Sequence, residues 1–143
     1  MGRFYQATEK DLDDVYDLLV KYKREIVDLD LAPIDEDRLY KSISTIQKRN
    51  SLLCVRSDDD ELIGTLGFVH SKHFWTEDVQ INVLWCYVKK EFRSFEVFKK
   101  LTDLLKKIAK DKPIMFGYIT KLELDNLMLK VGYEEMGKNW RYK

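Results

Sequence analysis

No apolar run in the chain approaches the roughly 20 residues that span a bilayer, so a membrane-spanning helix is not expected. The opening residues, MGRFYQATEKD, hold no apolar signal core, and Gln6 stands where a myristoylation signal wants Ser or Thr. A cytoplasmic location is the resulting expectation. Cysteine is scarce: Cys54 and Cys86 each lie inside an apolar strand pattern, which fits buried thiols in a reducing compartment better than a disulfide. No histidine or acid adjoins Cys86 in sequence to activate it. Neither sign of charge is in excess, with 25 Lys and Arg against 25 Asp and Glu. A nucleic-acid footprint would have to be local, and no basic run beyond a single turn supplies one. His70 and His73 stand three apart without a third ligand at sensible spacing, so no metal is expected. Repeats, low-complexity tracts and linkers are missing as well. What remains is an ordinary globular composition over 143 residues, 45% hydrophobic and 35% charged. Residues 1–143 make one domain's worth, able to bury roughly 70% of the unfolded surface.

The stretch from Val79 to Lys110 organises the rest. Val79, Ile81, Val83, Trp85 and Tyr87 alternate with Gln80, Asn82, Leu84, Cys86 and Val88, a period of two that predicts a long strand. Beyond Arg93 the period changes, and Val97, Leu101, Leu104, Leu105 and Ile108 recur at helical spacing. A helix that starts where a strand ends turns free backbone N–H groups and a positive dipole end toward any anion placed there. Lys89, Lys90, Arg93, Lys99 and Lys100 crowd the same turn. A solvated strand–helix connection would satisfy the same spacing.

In chain order, Arg3–Thr8 reads as a short strand, with Thr8 capping a helix striped by Leu12, Val15, Tyr16, Leu19, Tyr22 and Ile26. Pro33 prevents its continuation. Asp35 can cap a second helix, with Leu39, Ile43 and Ile46 facing inward. Ser51–Arg56 and Leu62–Val69 form an antiparallel hairpin around DDDE, with Gly64 and Gly67 permitting a bend or close packing. After the central helix come a buried strand at Pro113–Ile119 and a short helix that stops at Gly132. The aromatic residues around Gly137 suggest one or two closing strands. The order is β-α-α-β-β-β-α-β-α-β, an α/β chain.

That order, with YVKKEFRS (87–94) at the strand end and DNLMLKVGYEEMG (125–137) near the C-terminus, resembles the GNAT family of acyl-CoA-dependent N-acyltransferases over nearly the whole chain. The resemblance implies a mixed, mostly antiparallel sheet flanked by helices. It also implies direct transfer of an acetyl group from acetyl-CoA to a primary amine, on a small molecule or a protein. The pyrophosphate of CoA would meet the turn formed by Arg93, Ser94, Phe95, Glu96, Val97 and Phe98. The pantetheine arm would follow Cys86, Tyr87 and Val88 into a gap before the Met115–Tyr118 strand, and Asn126 would orient it.

The chain departs from the family at two places. Glu96 and Phe98 stand where the family's turn has Gly and Gly or Ala, residues that let backbone N–H groups approach phosphate closely. Met128 stands where many members place a tyrosine that protonates the departing thiolate, which leaves Tyr133, Tyr118 or water for that task. Glu77, Asp78, His70 and His73 are the candidates for the base that keeps the amine neutral. The reaction otherwise asks for positioning and backbone donors. An inactive GNAT-shaped module that binds a protein partner is the alternative such losses suggest. An unrelated α/β domain binding another phosphate ligand at its basic turn is a third. The acceptor and the oligomeric state, a homodimer included, lie beyond the sequence.

Glu96 yields a direct test. A carboxylate in the first helical turn gains about 0.3–1 kcal/mol from the dipole, yet it repels phosphates bound at the same end. Glu96→Gln is expected to destabilise the free protein slightly and to tighten CoA binding, with a gain that shrinks as salt screens the repulsion. Titration calorimetry at low and high salt checks this. Weaker binding by the variant would mean that Glu96 helps hold the ligand.

Overall fold

A computed structural model describes residues 2–25, 33–117, 124–137 and 140–142. The elements are β1 (Arg3–Gln6), α1 (Leu12–Glu25), α2 (Glu36–Lys48), β2 (Leu52–Arg56), β3 (Leu62–Lys72), β4 (Val79–Val88), α3 (Phe95–Ala109), β5 (Ile114–Phe116) and α4 (Asp125–Lys130). Local chemistry fixes their ends. Asp11 closes the turn into α1 by accepting the Thr8 amide at 2.9 Å, and Asp35 caps α2 by accepting the Arg38 amide at 3.1 Å. Gly132, at φ 93°, takes the left-handed conformation that stops α4.

The strands join in sequence order, β1-β2-β3-β4-β5. The first three pairings are antiparallel. The helical crossover through α3 makes the last, β4 with β5, parallel. Each face of the sheet carries its own core. Leu12, Val15, Leu18 and Leu19 of α1 and Ile43 and Ile46 of α2 pack with Leu52, Cys54, Leu62 and Tyr87. On the other face, Leu101, Leu105 and Ala109 of α3 pack with Leu53, Val55, Leu66, Phe68, Ile81 and Val83. Arg56, only 9% exposed, fastens α1 to the sheet. It donates to the Tyr5 hydroxyl, to Asp11 and Asp14 of the α1 entry, and to the Asp60 carbonyl. A buried charge answered on every side avoids the penalty that an unpaired one would carry.

The mixed, mostly antiparallel sheet flanked by helices is thus present, and the expected order holds through α4. β3 runs on to Lys72, past the Val69 expected. β5 covers only Ile114–Phe116 of the expected 113–119, of which residues 118 and 119 lie outside the described ones. No strand forms among residues 133–137 and 140–142, so the closing strands are not found among the described residues. Cys54 is buried as expected, whereas Cys86 is half-buried. No helix among the described residues is long and apolar enough to cross a membrane.

The central strand breaks its own alternation. Trp85 pairs with Gly67 and Val83 with Phe68, which leaves Leu84 without a partner on β3. One extra residue makes a β-bulge, which bends the strand and reverses the faces of the residues beyond it. Ile81 and Val83 therefore point toward α3, while Trp85 and Tyr87 point toward α1 and α2. An unbroken period of two would have placed all four together.

Candidate functional site

β5 runs beside β4 only from Ile81 to Val83. From Leu84 to Val88 the edge of β4 that faces away from β3 has no strand partner among the described residues. The polar groups on that edge can be identified. The Lys89 amide donates to the Ile63 carbonyl across the β3 side at 2.8 Å. By strand alternation, the N–H and C=O of Val88 and Cys86 then point to the open edge. The Val88 carbonyl already accepts from Arg93 Nε at 2.7 Å.

Trp85 holds the bulge from the opposite face. Its indole lies against Gly67, where an added Cβ would come within 2.3 Å of the ring. Its Nε1 donates to the Thr65 hydroxyl at 3.3 Å. Glycine is needed at position 67 because the ring occupies the space of a side chain.

Beyond Val88 the chain makes a 3-10 turn over Lys90–Phe92 and enters α3 at Ser94. The Ser94 hydroxyl accepts the Val97 amide at 3.2 Å, and the Ser94 carbonyl accepts the Phe98 amide. The amides of Phe95 and Glu96 precede the first intrahelical bond, so they are the natural donors for an incoming group. The cations around them are less available than the sequence suggested. Lys89 faces Glu61 at 3.5 Å, Lys99 meets Asp103 at 2.7 Å, and Lys100 faces Glu96 at 3.6 Å. Arg93 meets Glu25 of α1 at 2.6 Å and lies over the Tyr87 ring.

An aromatic wall stands on the α3 side. Phe98 meets Phe116 edge-on at 6.0 Å, and Phe116 meets Tyr133 edge-on at 5.7 Å. The Tyr133 hydroxyl oxygen is buried and makes no hydrogen bond among the described residues. Burial pushes its pKa up to about 12, and the nearby Cys86 adds to the rise. The Cys86 thiol is itself pushed up to about 12 by burial, which argues against a thiolate nucleophile.

The structure thus brings Cys86, Val88, Arg93, Ser94, Phe95, Glu96, Val97, Phe98 and Tyr133 to one end of β4. Tyr87 turns to the opposite face, where its hydroxyl donates to Glu25 Oε1 at 2.6 Å. Met128 is buried, and its carbonyl accepts the Tyr133 amide. Asn126 sits exposed in the first turn of α4, while Tyr118 lies outside the described residues. Glu77 is not with the others. It precedes the far end of β4, where its carboxylate pairs with Lys72 at 2.5 Å in the open. Leu84 lies seven positions further along the chain, five residues of β4 intervening, a span of roughly 20 Å. Asp78 and His73 share that remote connection. A pocket of about 350 Å³ between α1 and the β2–β3 turn is lined by Asp14, Asp17, Lys21, Arg56, Glu61 and Lys89 among others. It reaches neither Cys86 nor Tyr133.

Two participants escaped the sequence reading. Glu25 is not singled out on the first helix, and Leu84 counts as one more residue of the alternating strand.

No family model matches the sequence, and no curated protein does. Solved structures match along their whole length. A predicted acetyltransferase from Clostridium acetobutylicum, solved with acetyl-CoA, shares 18% identity at a TM-score of 0.74, covering 100% of this chain and 96% of its own. An aminoglycoside antibiotic 6'-N-acetyltransferase from Acinetobacter baumannii shares 14% at 0.73, covering 100% and 97%. A GNAT family acetyltransferase from Staphylococcus aureus shares 17% at 0.66, again covering 100% and 97%. The chain is therefore built on the GNAT acetyltransferase fold.

The packing of Trp85 on Gly67 can be tested by itself. Gly67→Ala is expected to cost about 1–3 kcal/mol in urea unfolding, the usual penalty of overpacking, and to shift the Trp85 indole N–H resonance. Gly64→Ala, whose added methyl would meet nothing nearer than 3.3 Å, should cost less. Equal losses would show that the indole does not fix the bulge.

Proposed function

We propose that this chain, as one GNAT-type domain over residues 1–143, transfers the acetyl group of acetyl-CoA to a primary amine by direct transfer. The observation that carries the reading is the open edge of β4 beside the α3 N-terminus, in a fold shared with acetyltransferases. The residues present fit the co-substrate. An amide-rich arm such as pantetheine finds strand-like partners at Cys86 and Val88 on that edge, with Tyr87 fixing the strand behind them. A pyrophosphate finds the amides of Phe95 and Glu96 beneath the Ser94 cap, flanked by Arg93, Val97 and Phe98. Asn126 is the residue we assign to orienting the arm.

Acetyl-CoA supplies an activated thioester; the chain supplies placement and protons. The amine nitrogen bonds to the acetyl carbon as the carbon–sulfur bond breaks, and the proton released from the amine balances the one gained by sulfur. Tyr133 is the proposed proton donor to that sulfur. Its hydroxyl has no hydrogen-bond partner among the described residues, and burial keeps it protonated through the neutral range. For the base, Glu77 would need a long acceptor or a chain of waters to act across its distance. A solvent water can take that proton.

Acetyl-CoA at about 100 times its dissociation constant should stabilise the protein by about 2.7 kcal/mol, a melting shift of several degrees. With an amine panel, free CoA thiol should then accumulate. Tyr133→Phe should slow that release and leave the melting shift intact. No shift at millimolar acetyl-CoA would overturn the reading. A shift without thiol release would point to an inactive module that works by binding a partner.

A further inference from the structure

Arg93 makes contacts beyond those a phosphate-binding turn requires. Its Nε donates to the Val88 carbonyl at 2.7 Å and its Nη2 to Glu25 Oε2 at 2.6 Å. Its guanidinium lies 5.3 Å over the Tyr87 ring. The second Glu25 oxygen accepts from the Tyr87 hydroxyl, and Tyr22 stacks on Tyr87 at 5.0 Å. Burial alone would raise the Glu25 carboxyl, but Tyr87 and Arg93 together hold it below the ordinary range. One side chain thus joins the end of α1 to the last acceptor on the open edge of β4.

Both of its polar contacts are ones that an extended, phosphate-bearing ligand would contest. An amide donor lying along β4 would seek the Val88 carbonyl. Arg93 also immediately precedes the Ser94 cap, so a phosphate at the amides of Phe95 and Glu96 lies within reach of its guanidinium. We propose that Arg93 is an exchangeable latch: held by Glu25 and Val88 in the free protein, it moves to the phosphates when the cofactor arm takes its place on β4. The inference rests on the acetyl-CoA reading and adds to it a competition inside the chain. The Glu25–Arg93 pair then weakens cofactor binding, and occupation of the cofactor site is felt at the end of α1.

Glu25→Gln keeps an acceptor for Tyr87 and removes the charge that competes for Arg93. Thermal melting without ligand checks that the variant is folded. Calorimetric titration with CoA should show binding to the variant about two- to fivefold tighter than to the wild type, the worth of a half-exposed ion pair. In the wild type, the Arg93 Nε–H resonance, assigned by its loss in Arg93→Lys, should move as CoA saturates the protein. If the wild type binds CoA while that resonance stays put, the latch is wrong, even if Glu25→Gln binds tighter through lost repulsion alone. Equal or weaker binding by the variant also overturns it. If the wild type does not bind CoA at all, the acetyl-CoA reading falls and the latch with it.

Discussion

Leu84 has no partner on β3, and a strand one residue longer than its neighbour must bend and twist to keep its ladder. Much of the candidate site depends on that bend. Before it, β4 holds β5 in parallel register through Ile81, Asn82 and Val83. After it, β4 has no strand partner on that side among the described residues, and the backbone groups of Cys86 and Val88 face away from β3. The same residue reverses the side chains, sending Tyr87 to the α1 side and leaving Cys86 with α3. Gly67 makes this geometry compatible with the indole of Trp85, because nothing larger fits beneath the ring.

Electrostatics at the gap are balanced. The helix end offers amides and a positive dipole end, but most of the surrounding cations already have partners. Glu96 faces Lys100 in the first turns of α3, an exposed i,i+4 pair worth a few tenths of a kcal/mol. Arg93 is held more firmly, with three contacts converging on it. A ligand here must therefore displace existing interactions as well as form new ones. The amides of Phe95 and Glu96, which precede the first intrahelical bond of α3, are the donors left to it.

Most of the fold was legible because its signals are local. Period, caps and the Gly132 stop specify α1 to α4 and β2 to β4 without reference to one another. What was not legible depended on distant pairing. The bulge at Leu84 exists only relative to β3, so a period of two read along β4 alone could not show it. Glu25 and Arg93 are 68 residues apart, and nothing in either local pattern announces the other. Glu77 was drawn in by its nearness in sequence to the central strand, but a ten-residue strand carries its two ends far apart. Tyr133 is one of three proton donors left open in the sequence, beside Tyr118 and water, and it follows directly after the Gly132 stop of α4. The closing strands suggested by the aromatic residues around Gly137 have no counterpart among the described residues.

The claim on which the rest depends is that acetyl-CoA lies along the open edge of β4 with its phosphates at the start of α3. Amide chemical-shift mapping with acetyl-CoA tests it most directly. The account predicts the largest shifts at Cys86, Val88, Phe95 and Glu96, with His73 and Asp78 in the connection before the far end of β4 unmoved. Saturable shifts confined to the pocket between α1 and the β2–β3 turn, around Lys21 and Glu61, would contradict it.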